Sequence, residues 1–326
     1  MSALVRAFEG RRVLVLGDLI ADQFVSGEIR RVSREAPVMI LRHERTETVP
    51  GGAANCAMNL AGLGARAALV GVVGDDSAGR ELLGRLKGAG VDCSGVVVAP
   101  GHVTTTKVRI LAGHAHSTRQ QVVRLDYEGG MLDDEGVLAE VASNAGAAFA
   151  RAEAAVVSDY DYGVACDSTV APLRRAAGVP VVVDSRFRVR EFAGFDSATP
   201  NEDEVEQVAG RRFADADELA AEGERLRAEL GYRALLVTRG KDGMLLLEEG
   251  RGPLHVEAVG SHEAVDVTGA GDTVIATYAL GLASGADFRT AARLANHAGG
   301  VVVLKRGTAC VYPHELLASL EHEGQV

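Results

Sequence analysis

Short apolar runs rich in β-branched residues alternate along most of this 326-residue chain with Ala- and Leu-rich amphipathic stretches. "RVLVLGD" begins the series, and "RAALVGVVG", "AAVVSDY", "VPVVVDS" and "RALLVTRG" repeat it, each ending in small or polar residues. Strands interleaved with helices in this way build an α/β fold, a parallel sheet covered by helices. The helices are expected near 53–63, 77–89, 134–149, 167–177, 214–230, 271–284 and 288–303. In open α/β sheets the ligand crevice lies outside the carboxyl ends of the strands, so endings such as Gly17-Asp18 are where chemistry is sought.

Two stretches break the alternation. Residues 23–48 and 94–127 are rich in Val, Ile and Thr and carry no helical period, which predicts strands of a second, smaller sheet. The two stretches are not contiguous, so the chain reads as a single domain over 1–326 whose appendage is built from two insertions.

Bulk properties narrow the partners. A hydrophobic content of 47% with 24% charged residues suits one large α/β domain. The formal net charge of -11 argues against nucleic acid and anionic membrane and favours a small molecule. No apolar run approaches the ~20 residues of a membrane span, and the opening "MSALVRAFEGRR" lacks the apolar core of a signal peptide, so a cytoplasmic protein is expected. Cys56, Cys93, Cys166 and Cys310 show no C-x-x-C spacing and read as reduced thiols. His114 and His116 in "GHAHS" have no carboxylate or cysteine beside them and read as solvated rather than metal-binding.

The most constrained motif is "DVTGAGD" at 266–272, ahead of the helix-like run "TVIATYALGLASG". Glycine at a helix start costs ~1 kcal/mol relative to alanine, so Gly269-Ala270-Gly271 asks for a reason. A helix beginning there leaves its first N–H groups without intrahelical partners, at the positive end of the dipole. Small residues let a phosphate approach that backbone closely. Asp272 then falls in the first turn, where a carboxylate beside the bound anion can take a proton from an attacking hydroxyl. Phosphoryl transfer needs that combination, and an ordinary Gly-rich turn followed by a dipole-favoured aspartate is the plainer alternative.

Four weaker motifs accompany it. In "PGGAANCAMNLAGLG" (50–64), Gly51 and Gly52 allow close backbone approach and Asn55 suits sugar hydroxyls, although a Pro-Gly turn before an Ala-rich helix reads the same. Asp18 and Asp22 in "GDLIAD" can accept from vicinal hydroxyls, with a turn or cap role open for Asp18. Asn201 and Glu204 in "TPNEDE" stand one helical turn apart and can face one ligand, or Asn201 can cap the helix. Thr238, Gly240 and Gly243 in "VTRGKDG" lie at a strand end and tight turn, as they would in a plain hairpin. The chain has no G-x-x-x-x-G-K-[ST] loop and completes no G-x-G-x-x-G fingerprint, which weakens the P-loop and dehydrogenase readings.

In order and spacing, "PGGAANCAMNLAGLG", "TPNEDE", "VTRGKDG" and "DVTGAGDTV" resemble the signature of the ribokinase-type (PfkB-type) carbohydrate kinases over nearly the whole chain. The resemblance implies a ribokinase-like three-layer α/β/α sandwich with a β-sheet lid, and an ATP- and Mg²⁺-dependent sugar kinase. It implies Asp272 as catalytic base, with the backbone of Gly269, Ala270 and Gly271 as anion hole. Asn201 and Glu204 match the Asn-x-x-Glu motif that organises Mg²⁺ and phosphates, largely through water. Thr238, Gly240 and Gly243 match the nucleotide-phosphate turn, and Asn296 falls near the adenine pocket. Asp22, Gly51, Gly52 and Asn55 match sugar-binding positions. Asp266 and Thr268, with Gly307 and Thr308 as weaker candidates, match ligands of a monovalent cation such as K⁺. A homodimer through the lid sheet is common in the family.

Within the family, "SGEIRRVSREAPVMI", "TTTKVRIL" and "QQVVRLDYE" are most similar to the D-glycero-heptose-7-phosphate kinases of ADP-heptose precursor synthesis. A phosphorylated sugar needs cations, and Lys107 and Arg109 alternate on one lid strand, with Arg34 in the other insertion; exposed lid charges are the alternative. Two lysines usual in those kinases are absent, since "SDYDYG" has Asp161 and Tyr162 and "DSRF" has Ser185 and Arg186. Some relatives carry a second, nucleotidyl-transferring domain; here only the phosphorylation step is expected. Kinases for ribose, fructose or fructose phosphate, and a non-catalytic sugar-binding regulator on the same fold, are the competing readings.

Overall fold

The computed structural model describes residues 1–114, 119–175, 178–260 and 264–323. Its strands are β1 (Arg12–Gly17), β2 (Leu19–Val32), β3 (Met39–Gly52), β4 (Arg66–Gly74), β5 (Asp92–Ala99), β6 (Thr106–Gly113), β7 (Gln120–Tyr127), β8 (Ala154–Asp159), β9 (Val181–Ser185), β10 (Ser197–Ala198), β11 (Ala234–Thr238), β12 (Met244–Glu248) and β13 (Leu254–Val256). The helices are α1 (Ser2–Arg6), α2 (Ala53–Gly62), α3 (Ser77–Gly88), α4 (Glu135–Phe149), α5 (Asp167–Val170), α6 (Glu202–Ala209), α7 (Ala216–Leu230), α8 (Ala270–Ala283), α9 (Phe288–Val302) and α10 (Pro313–Glu323).

Among the described residues the large sheet runs β13-β12-β11-β10-β9-β8-β1-β4-β5. It is parallel from β5 to β11, and β12 and β13 add antiparallel at one edge. Strand β1 shows how two cores arise from one sheet. Successive side chains point to opposite faces. Val13 and Val15 therefore join Leu60, Ile275 and Leu294 of α2, α8 and α9, while Leu14 and Leu16 join Val141 and Phe149 of α4 and Leu226 of α7. Helix α8 is buried on every side from Asp272 to Gly281, which is why "TVIATYALGLA" shows no polar face. No helix among the described residues is long and apolar enough to cross a membrane, and all four cysteines are free thiols.

The second sheet has the order β3-β2-β6-β7. Strands β2 and β3 pair antiparallel, with Asp22 opposite Val49, and β6 lies parallel to β2, with Lys107 opposite Asp22 and Arg109 opposite Phe24. Arg34 sits in the exposed turn between β2 and β3.

Three expectations are corrected. Residues 94–99 belong to β5 and pair with β4 in the large sheet, Val72 opposite Val97. That edge strand buries alternate residues, Cys93, Val97 and Ala99, so its sequence cannot be told from a lid strand's. The first insertion is rooted more deeply than 23–48, because Leu19–Asp22 and Val49–Gly52 also pair. The helix expected at 167–177 is only α5 followed by a 3₁₀ turn, Ala171–Arg175, whose Pro172 cannot donate a helical hydrogen bond. His116 lies outside the described residues.

Candidate active site

The ends of β8 and β9 bring Tyr160 and Asp184 to Asp272 in the first turn of α8, and the end of β11 brings Thr238 to the cavity beside Gly271. Gly269 caps α8 in the left-handed region, at φ +76°, and a Cβ there would sit 2.6 Å from Asn55 Nδ2. Among the described residues nothing accepts from the N–H groups of Gly271 or Asp272. A Cβ on Gly271 would meet no atom within 4 Å. The bare backbone therefore faces open space.

Asp272, 4% exposed, receives two side-chain hydrogen bonds: Asn55 Nδ2 donates to Oδ2 at 2.7 Å and the Tyr160 hydroxyl donates to Oδ1 at 2.9 Å. Burial pushes its carboxyl up to about 6, against the pull of those two donors. A base so poised is ionised at neutral pH yet basic enough to accept a proton. Asn59 Nδ2 donates to Asn55 Oδ1 at 3.2 Å, and Thr273 Oγ1 donates to Asn59 Oδ1 at 3.0 Å. The Asn55 amide is thus held against the base.

Asp18 is corrected too. Its buried carboxylate accepts from the backbone of Tyr160 at 2.7 Å, Tyr162 at 3.2 Å and Val164 at 3.1 Å, so it anchors the loop after β8 and does not face a ligand. Burial nonetheless pushes it up to about 6. Asp22 pairs with Arg109 across the lid strands, and Arg109 also lies 5.5 Å from the centroid of the Phe24 ring. A Cβ on Gly51 would strike the Asp22 carboxylate, and Gly52, at φ +56°, would bring one to 2.8 Å from the Asp18 carbonyl. Lys107 has no ion pair among the described residues; its ammonium stands 5.8 Å from the ring centroids of both Tyr160 and Tyr162, and burial holds it below the usual lysine range.

Asn201 and Glu204 form a reciprocal capping box on α6, Glu204 N donating to Asn201 Oδ1 at 2.8 Å and Asn201 N to Glu204 Oε2 at 2.9 Å. The capping alternative for Asn201 is therefore present, while Glu204 Oε1 has no hydrogen-bond partner among the described residues. Asn201 also bridges to Thr238 at the end of β11. Burial raises Glu204 to about 7, and burial followed by the charge of Glu204 raises Asp184, at the end of β9, well above the ordinary carboxylate range. Arg186 acts on both carboxylates and on Lys107.

A cavity of about 300 Å³ opens beside Gly271 and takes in Thr238, Gly240, Gly243, Ala270 and Asn296 together. Asn296 donates to the Glu257 carbonyl at 2.7 Å. Met244, Gly299 and Gly300 also line it and escaped notice in the sequence, as did Tyr160 and Asp184. Only the strand ends carrying Tyr160 and Asp184 were legible, not the contacts they make. Asp266 accepts from the backbone of Thr268 and Gly307, both at 2.9 Å, tying the segment before α8 to the loop containing Thr308. The Thr308 hydroxyl is buried and has no hydrogen-bond partner among the described residues.

An anion-ready helix start, an ionised buried carboxylate and an adjoining slot define a group-transfer enzyme of the phosphoryl class. Residues 11–315 match the pfkB family carbohydrate kinases, and the chain belongs to that family. It is a sugar kinase, a phosphotransferase with an alcohol acceptor. It is 41% identical over 325 residues to the bifunctional protein HldE of Aeromonas hydrophila, covering 99% of this chain and 66% of the relative. It is 43% identical over 327 residues to HldE of Alkalilimnicola ehrlichii, covering 100% and 66%. The chain thus spans just under two thirds of the length of these curated relatives. Its fold is ribokinase-like. Arabidopsis thaliana ribokinase complexed with ribose and ATP superposes with a TM-score of 0.72 at 22% identity, over 96% of this chain and 99% of that one. Escherichia coli phosphofructokinase-2 in complex with potassium superposes with 0.78 at 17% identity, over 97% and 99%.

Proposed function

We propose that this chain phosphorylates the anomeric hydroxyl of D-glycero-D-manno-heptose 7-phosphate from ATP, in the cytoplasm, as a single kinase domain closed by its small sheet. The observation that carries the chemistry is Asp272, buried, held by two donors and one residue from an unsatisfied helix N-terminus. Asp272 takes the proton of the acceptor hydroxyl while its oxygen forms a bond to the γ-phosphorus, and the bond from that phosphorus to ADP breaks in line. The N–H groups of Gly271 and Asp272 and the positive end of α8 stabilise the transferred group. Thr238, Gly240, Gly243 and Asn296 hold the nucleotide in the slot they line.

Asp184 and Glu204 suit Mg²⁺, being hard oxygen donors close enough to repel one another, with Glu204 acting largely through water. When bound, that ion neutralises charge on the phosphate oxygens. The orphaned Thr308 hydroxyl beside the Asp266 clasp supports a monovalent cation such as K⁺ there, with Thr268 on the same turn.

Support for a phosphorylated acceptor comes from Lys107, an ammonium over the Tyr160 and Tyr162 rings without an ion-paired carboxylate among the described residues, with Arg186 and Arg124 in its field. Asp22 and Gly51 on the lid side are the remaining sugar contacts in this reading. Coupled ADP-release assays across heptose 7-phosphate, ribose, fructose and fructose 6-phosphate test it. The highest kcat/KM belongs to the heptose phosphate, and a preference for any unphosphorylated sugar would overturn the substrate assignment.

A further inference from the structure

A fully buried carboxylate without donors stays protonated at neutral pH and cannot serve as a base. Among the described residues two side chains donate to Asp272: Asn55, on α2, and Tyr160, which follows β8. The other charged or titratable groups acting on it are Asp22 and Lys107 from the lid strands, Cys56 from α2 and Asp184 from β9. Asp22 and Lys107 oppose one another, and Asp184 and Cys56 are themselves held toward their neutral forms. The two hydrogen bonds are therefore the largest influences that favour the ionised base against its burial.

Tyr160 is built into this position. Asp18 binds the backbone N–H groups of Tyr160, Tyr162 and Val164, and the loop turns through Asp161 at φ +66° and Gly163 at φ +97°. A Cβ on Gly163 would lie 2.8 Å from the backbone of Leu132, so the loop has no room to shift that way. Lys107 lies over the Tyr160 ring from the lid side. Burial and the neighbouring Asp272 charge raise the phenol well above its ordinary range, so it remains a donor.

Resting on the assignment of Asp272 as base, we propose that Tyr160 is a positioning residue of the reaction: its hydroxyl, donated to Oδ1, keeps Asp272 ionised and fixes the carboxylate toward the acceptor. The test is the pH profile of kcat/KM for heptose 7-phosphate. Tyr160→Phe should move the acid limb up by about one pH unit relative to wild type while leaving the melting temperature nearly unchanged. Tyr162→Phe, whose hydroxyl donates instead to Glu128, should leave the limb in place. An acid limb that does not move in Tyr160→Phe overturns the proposal, as does an equal movement in Tyr162→Phe. Should Tyr160→Phe fold poorly, 3-fluorotyrosine at 160, a stronger donor, should move the limb down, and a limb that stays or rises counts against the role. Asp272→Asn separates the two levels. Near-wild-type turnover in that variant removes the base itself, whereas an inactive Asp272→Asn beside an unmoved Tyr160→Phe limb removes only the tyrosine's part.

Discussion

Gly269 and Gly271 look alike in "DVTGAGD", and the structure gives them different work. Gly269 is needed by the protein, because its left-handed backbone and the nearby Asn55 amide leave no place for a side chain. Gly269→Ala should cost about 1–3 kcal/mol of stability, read as a lowered melting temperature. A Cβ on Gly271 would meet nothing within 4 Å outside its own helix, so no protein contact asks for glycine there, and in the proposed reaction its bareness serves the phosphoryl group. Gly271→Ala should melt at or slightly above the wild-type temperature yet lose turnover about tenfold or more, as the methyl group enters the space of the transferred phosphoryl. Equal melting losses in the two variants would contradict this division. The motif marked both positions from sequence, but only the φ angle and the distance to Asn55 separate them. Tyr160 was illegible for a similar reason, since it meets Asp272 across 112 positions of sequence and no spacing rule spans that gap.

At the scale of elements, periodicity was enough to place the strands that end at the site, because a buried parallel strand is a continuous apolar run bounded by small residues. It could not separate β5 from the lid, since an edge strand and a lid strand share a period of two. The ends of β9 and α6 carry the most consequential electrostatics. Burial raises Asp184 and Glu204 above their unfolded values, so the folded state binds more protons than the unfolded one. The contribution of Glu204 to stability is full below the ordinary carboxylate range and is lost as pH rises through about 7, and that of Asp184 changes in the same direction. A divalent cation offsets that loss only where the pair is ionised. Mg²⁺ without nucleotide should therefore raise the melting temperature by a few degrees at pH 8 and by little at pH 5, read by calorimetry. Equal gains at both pH values would count against these carboxylates as the ion's holders.

At the scale of the whole molecule, β7 is an outer strand of the four-stranded sheet. Every residue of β7 is exposed, with Val122, Val123, Leu125 and Tyr127 among the large apolar side chains in solvent. An open apolar edge strand is a pairing surface, and a second copy of this chain is the partner proposed for it. Leu125→Glu should convert a dimer to a monomer in light scattering behind size exclusion, with an unchanged far-UV spectrum. A wild-type chain that is already monomeric at micromolar concentration would contradict the pairing.

The sugar-kinase class was legible through the family resemblance that its four motifs carry by their order and spacing, since each motif alone also reads as an ordinary turn, cap or hairpin. The proposed acceptor rests on resemblance, since Lys107 and Arg186 acquire their common field from folding. Single-turnover ADP release with heptose 7-phosphate, in wild type and in Asp272→Asn, reads whether Asp272 is the base of a heptose 7-phosphate kinase. With Asp272 as base, the folded variant is slowed by ~10²–10⁴. Turnover close to wild type in the asparagine variant would contradict it.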